Sequence, residues 1–167
     1  MSDGTLALAK GYLRATIADC AAFRAWLGAT AQAQALARIY RDVLPPALAN
    51  GKYTLAELEK LRPYCLIWSE RISEPRIATA TYAATGVLTA RFVWDTPKLM
   101  RDQPDESVLQ LEATVGEISE QLQALAGQAG YLNIVDTELR PAGLGAKQDY
   151  PSKGYVVVAE LGVTWEG

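Results

Sequence analysis

Histidine is absent from this sequence of 167 residues. Its absence excludes Ser-His-Asp and Cys-His catalysis, together with every metal site that uses a histidine ligand. A serine or threonine nucleophile would then need a lysine base, and the sequence contains no Ser-x-x-Lys motif. We therefore expect no catalytic residue and no metal site, and the composition favours a protein that works by binding or assembly.

Cysteine is scarce, and its two occurrences, Cys20 and Cys65, lie far apart in the chain. They form neither a Cys-x-x-Cys pair nor a zinc-type spacing. Each lies in an apolar stretch, which favours a buried free thiol that packs as a small hydrophobic side chain. A disulfide between them stays open at this point, but the low cysteine count favours synthesis in the cytosol.

Neither sign of charge dominates, since 16 lysines and arginines against 19 aspartates and glutamates give a net charge of −3. This balance argues against a general nucleic-acid coat held by phosphate contacts. No stretch reaches the about 18 uninterrupted apolar residues of a membrane span. The N-terminus also lacks the basic region of a secretory signal. With half of its residues hydrophobic, the chain is expected to form one domain over residues 1–167.

Two motifs that could carry chemistry are better explained by structure. Gly143 and Gly145 lack the strand–turn–helix context of a dinucleotide fingerprint, so they predict a loop and no cofactor. Glu117 and Glu120 lie one turn apart on the polar side of a predicted helix, which is typical of a solvated helix face. Nothing places a group opposite these carboxylates that would raise a pKa for acid–base work.

Helical spacing of apolar residues dominates the first third of the chain and returns once later. Residues 5–27 predict a helix or a broken helix ending at Gly28, and residues 30–39 predict another with Thr30 as its N-cap. Thr54 and Glu57 match a capping box for a short helix that ends near residue 61. The strongest helix covers residues 108–125, with one continuous stripe formed by Val108, Leu111, Val115, Ile118, Leu122 and Leu125.

Alternating and β-branched segments predict five strands, at residues 64–69, 76–82, 85–95, 131–139 and 154–165. Between the last two strands lies a predicted loop of about thirteen residues, 141–153, whose length is typical of a functional contact. Neighbouring strands joined by short connections favour antiparallel pairing. We therefore predict an α+β fold of two layers, with a mostly antiparallel sheet of about five strands and helices packed on one face.

The predicted sheet has a second face, opposite the helices, that is partly apolar. Leu88 and its alternate neighbours in residues 85–95 are expected to face the helices. Val87 and Val93 of that strand, and Val156 and Val158 of the last strand, then lie on the other face. An apolar outer face suggests association with a subunit or partner, although scattered surface apolar residues are also normal.

Four cationic residues fall in the two long predicted loops, 95–105 and 141–153: Lys98, Arg101, Lys147 and Lys153. Ordinary surface charge explains them in a monomer. If several copies formed a ring, the same loops could line a channel that passes DNA through weak nonspecific contacts. These four residues and the four valines are the candidate interface residues.

Several segments resemble the tail terminator family, the tail-completion or minor tail proteins of long-tailed bacteriophages and prophages. They are residues 17–28 (IADCAAFRAWLG), residues 37–40 (ARIY), residues 86–88 (GVL), the helix 108–125 and the closing segment 162–165 (GVTW). The sequence departs from the family pattern in the excursion over residues 45–63 and in the long loop before the last strand. The likeness spans most of the chain.

The resemblance implies a structural virion protein and no enzyme. Similar proteins form a six-fold ring on the head-proximal end of the tail tube, where the ring stops tube polymerisation and offers an attachment surface for head-closure proteins. Its partners would be further copies of itself, the tube protein and a head-closure protein, with DNA only in transit and no membrane. Such a protein would be assembled in the bacterial cytoplasm and located in the virion tail or neck. The alternatives are another neck component, such as a head-closure or adaptor protein, and a cellular small-molecule binding module.

Overall fold

A computed structural model describes residues 3–45, 52–73, 76–78, 81–82, 85–95 and 104–167. The helices within these residues are α1 Asp3–Asp19, α2 Ala21–Leu27, α3 Gln32–Leu36, α4 Leu55–Leu61 and α5 Pro104–Leu125. The strands are β1 Ile39–Arg41, β2 Tyr64–Ser73, β3 Arg76–Ala78, β4 Thr81–Tyr82, β5 Thr85–Asp95, β6 Ile134–Leu144 and β7 Val156–Glu166.

Five strands form the main sheet in the order β1-β2-β5-β7-β6. The pairs β2–β5, β5–β7 and β6–β7 are antiparallel, and β1 joins β2 in parallel. One face of this sheet packs on α1, α2, α3 and α5. The predicted α+β fold, with a mostly antiparallel five-stranded sheet and helices on one face, is confirmed.

The core lies between the sheet and the long helix α5. The predicted α5 stripe is confirmed: its four central members, Leu111, Val115, Ile118 and Leu122, are fully buried. They meet side chains that alternate along β5 and β7, where period-two geometry sends every second residue to the helix side. These strand residues include Leu88, Ala90, Phe92, Val157, Ala159, Leu161, Val163 and Trp165.

The first helical segment is broken at Cys20, which separates α1 from α2 in an extended conformation. The side-chain oxygen of Gln121 in α5 accepts a hydrogen bond from the Ala22 backbone N–H at 3.0 Å. A helix start whose N–H groups have no partner is unfavourable, and this contact satisfies one of them. Gly28 ends α2 in the left-handed conformation, as predicted.

Several predicted bounds were wrong, and three of the errors change the sheet or the loop before β7. The strand predicted over residues 76–82 is wrong, because its described residues form β3 and β4, which pair with each other in a separate two-stranded sheet. The loop predicted at 141–153 begins later: β6 continues through Pro141 to Leu144, with an irregular register between Arg140 and Gly143. An edge strand can hold a proline because its outward N–H needs no partner. The third error is β1, which was predicted as the end of a helical region.

Candidate functional site

Charged side chains cross the middle of the outer face, the sheet face opposite the main helices. Arg91 of β5, Glu160 of β7 and Arg140 of β6 lie directly beside one another across the paired strands. The Nε and Nη2 atoms of Arg91 donate to Glu160 Oε1 at 2.9 and 2.8 Å. Arg140 Nη1 donates to the other oxygen, Glu160 Oε2, at 2.9 Å. Glu160 is therefore held between two guanidinium groups.

Glu70 extends this arrangement across the sheet to β2. It lies at a register irregularity between Ser69 and Arg71, and such a bulge redirects a side chain. Glu70 Oε1 accepts hydrogen bonds from Thr89 Oγ1 at 2.6 Å and from Arg140 Nη1 at 3.0 Å. A Cβ placed on Gly162 of β7 would lie 3.6 Å from Arg140 Nη2. The guanidinium therefore passes directly over Gly162 on its way across β7 to Glu70, where a larger side chain would contact it.

We call Glu70, Arg91, Arg140 and Glu160 the charge brace. Hydrogen bonds from Arg140 and Thr89 hold the pKa of Glu70 below its ordinary value. Burial raises the pKa of Glu160, but the hydrogen bonds from Arg91 and Arg140 outweigh it and leave that pKa lowered. Both carboxyl groups thus stay ionised near neutral pH and accept protons poorly, so the brace is arranged for holding strands together and not for acid–base chemistry.

Aromatic side chains flank the brace. The Arg91 guanidinium carbon lies 4.7 Å from the centre of the Trp68 ring, within the range of a cation–π contact. The same guanidinium donates to the Tyr150 hydroxyl at 3.1 Å. Tyr150 comes from the loop 145–155 that joins β6 to β7, so the brace also fixes part of that loop.

A second, smaller apolar cluster covers the outer face beside the brace. Tyr64, Val93 and Val156 are buried in it. Partly buried side chains from outside the central strands pack against them, namely Tyr40, Leu44, Leu61 and Tyr150. Burial in this cluster raises the pKa of Tyr64 to about 12. The chain therefore covers part of its own outer face.

This cluster changes the interpretation of the four candidate valines. Val93 is 0% and Val156 is 3% exposed, so neither presents a surface to a partner in this conformation. Val158 packs against the same cluster and is half-buried. Val87 is half-buried and pairs with Thr164, on the far side of the brace from the other three. The outer face is therefore only partly apolar, because polar rows divide it and side chains from the chain's own connecting segments cover Val93 and Val156.

Arg62 joins the ends of three connecting segments where β2 and β7 begin and β5 ends. Its side chain is only 2% exposed, and its Nη1 atom donates to Asp95 Oδ1 and to the Pro151 carbonyl, both at 3.1 Å. Ser152 Oγ donates to the same Asp95 oxygen at 3.0 Å. We call these contacts the Arg62 latch. It places the end of the loop 145–155 against the point where the chain leaves β5.

Two of the four candidate cations lie at this loop end of the sheet. Lys147 and Lys153 belong to the loop 145–155 and are exposed. Lys98 and Arg101 lie outside the described residues.

The Arg62 latch was not predicted from the sequence. A lone arginine after a short helix carries no motif, and its partners are 33 and 89 residues away.

An apolar groove of about 300 Å³ lies at the opposite end of the sheet. It is lined by α1, by the segment before β6 and by the end of β7. Leu8 and Tyr12 are well exposed at this groove, and buried Trp165 lines it.

The two cysteines, Cys20 and Cys65, are both free and buried away from the groove, and burial raises the pKa of each thiol.

Among the described residues, no cluster of three metal-ligating side chains is present. No helix in those residues is both long and apolar enough to span a membrane. Compared with known proteins, the sequence matches no protein-family model and no curated protein.

Proposed function

We propose that the protein is a tail-completion protein of a long-tailed bacteriophage or prophage. In this proposal copies of the chain form a ring, with six copies as the family resemblance implies. The ring closes the head-proximal end of the tail tube, stops its polymerisation and offers a surface to a head-closure protein. DNA passes through the ring without being bound specifically.

The observation that carries this proposal is the Arg62 latch. The proposal places loops at one end of each subunit along the channel, and such loops must be held in position by the rest of the subunit. The latch fixes the loop 145–155 beside the end of β5 through a buried guanidinium. Exposed Lys147 and Lys153, against exposed Asp149, leave this loop with one net positive charge, which suits only weak contacts with phosphates.

The sheet supports the same proposal. Paired carboxylates and guanidiniums on its outer face bond to each other across four strands, from Glu70 on β2 to Arg140 on β6. Such a face makes the subunit stiffer. Its carboxylates are already bonded to guanidinium groups, so they are not available as an acid or a base. A stiff subunit suits a ring, because a small change in subunit shape changes the closure angle.

Native mass and particle shape test the proposal. The purified chain, measured by light scattering and imaged by negative stain, is expected to give a particle of about six protomers with a central hole. If the chain alone is monomeric, the same measurement is repeated with assembled tail tubes, which are expected to carry the ring at one end.

Two results separate the alternatives. Binding to a portal or head-closure complex, and not to the tube, would assign the chain to another part of the neck. A monomer that binds neither would contradict the virion proposal and would direct attention to the groove beside Tyr12 as a small-molecule site.

A further inference from the structure

Negative charge is concentrated in one helix. α5 carries five carboxylates and no lysine or arginine. Because the net charge of the whole chain is −3, the residues outside α5 carry a surplus of two cationic side chains. The fold itself does not require this division, since α5 packs on the sheet through its apolar stripe.

Part of this charge lies at the β6 edge of the sheet. Ser119 and Gln123 of α5 hydrogen-bond to Thr137 of β6 at 2.7 and 2.6 Å, so this side of the helix faces the edge strand. Glu112 lies seven residues before Ser119, two turns along the same side. Glu138, the next residue of β6 after Thr137, is exposed on the outer-face side of the same edge.

Exposed apolar side chains accompany these carboxylates. Leu139 and Leu144 of β6 are 38% and 49% exposed, and Leu109 of α5 is 64% exposed. Leu109 precedes Gln123 by fourteen residues, which is close to four helical turns, so it belongs to the same side of α5. We call this combined surface of α5 and β6 the acidic edge.

The opposite edge of the sheet, at β1, carries exposed cations, beside Glu57 and Glu59 of α4 and beside Asp42, which is paired with Lys10 at 2.7 Å. Arg41 of β1 is exposed. The Arg38 guanidinium donates to the carbonyls of Lys60 and Leu61 at 2.9 and 2.8 Å, which holds the end of α4 and exposed Lys60 against β1. Val43, just after β1, is 73% exposed. We call this surface the basic edge.

We propose that neighbouring copies of this chain join by placing the acidic edge of one copy on the basic edge of the next. This inference rests on the proposed ring and names its contact. Opposite charges beside exposed apolar residues fit a second copy, because both halves of the contact are present on one chain, at opposite edges of one sheet. Two different patches that meet head to tail form the heterologous contact from which rings are built.

In this contact the two copies meet through their side chains. Their edge strands do not pair to form one sheet that continues from copy to copy. β6 contains Pro141 and register irregularities near both of its ends. Prolines and bulges on an edge strand prevent it from pairing with another strand. The contact is therefore expected to weaken with added salt, as charge-steered association does.

Mixing two variants, each blocked at one edge, tests the proposal. Leu139→Lys places a cation in the acidic edge, and Arg41→Glu places an anion in the basic edge. Each variant alone is expected to need about a tenfold higher concentration for half-assembly. An equimolar mixture is expected to recover assembly, to a dimer or a larger particle, because the intact basic edge of the first variant meets the intact acidic edge of the second. Val87→Asp, on the outer face, and Glu117→Lys, on the α5 side near α2, are the matched controls that keep the ring.

The outcomes distinguish this contact from the ring itself. Intact rings from both edge variants, or a mixture that stays monomeric, would overturn the assignment of the edges. Loss of the ring in Val87→Asp with intact edge variants would move the contact to the outer face and leave the ring function standing. A wild-type chain that forms no ring, alone or with tail tubes, would overturn both.

Discussion

Replacing Arg62 by methionine removes the latch while keeping an apolar chain of similar length. The variant loses two hydrogen bonds and leaves the Asp95 carboxylate, whose side chain is 24% exposed, bonded only to Ser152 among the contacts described above. Breaking a fully buried ion pair costs about 3–5 kcal/mol. Because water reaches part of Asp95, we expect a decrease of about 2–3 kcal/mol in the free energy of unfolding.

Urea titration followed by tryptophan fluorescence measures this change, and thermal melting should show a midpoint lower by roughly 5–10 °C. The double variant Arg62→Met with Asp95→Leu is expected to recover most of the loss, because an apolar pair leaves no charge unpaired. It should remain about 1 kcal/mol below wild type, since the Pro151 carbonyl loses its donor. Limited proteolysis should cut the loop 145–155 faster in the single variant.

Lys52→Met is the control, because it removes an exposed cation outside both proposed edges and should change stability by less than about 0.5 kcal/mol. If Arg62→Met matched this control, the buried guanidinium would not hold the loops and the reasoning would be refuted. An equal loss in the single and the double variant would show that Arg62 acts through packing and not through its bond to Asp95.

Three further predictions concern other parts of the chain. Gly145→Ala should lower stability by about 1–3 kcal/mol, measured by urea titration, because the new Cβ would lie 2.6 Å from the Tyr150 ring. The lowered pKa of Glu160 means that its contribution is complete above the ordinary glutamate pKa of 4.5 and is lost as pH falls through the lowered value. Acid titration of stability should therefore be shallower in Glu160→Gln than in wild type. Cys20 and Cys65 should react with a thiol reagent only after denaturant is added, and fast labelling of the native protein would contradict their burial.

Periodicity made most of the fold predictable. The apolar spacing of residues 108–125 identified α5, and the alternation in residues 85–95 assigned Leu88 and Phe92 to the helix side. The three residues of β1 are too few to show a period, and their partner strand begins 23 residues after β1 ends. The sequence around β1 therefore contains no local pattern that indicates its parallel pairing with β2.

The candidate site was less predictable than the fold. It depends on the register in which the strands pair, and the alternation of apolar and polar residues along one strand does not show that register. Alternation alone placed Val93 on the outer face, but it could not show that Leu61 and Tyr150 return to cover that face. The charge brace had a weak signal, since Arg91 and Glu160 both fall at outward positions of neighbouring strands. Only the register places these two directly opposite each other.

The charge brace has a mechanical consequence for the subunit. Backbone hydrogen bonds join each strand to its neighbour, whereas the bond between Arg140 and Glu70 reaches from the β6 strand over two intervening strands to β2. A pull on one side of the sheet is thereby passed to the other partly through these side chains, in addition to the backbone hydrogen bonds of each strand pair. In a closed assembly under axial load, such a tie would let force travel around the circumference with little shear inside any one copy.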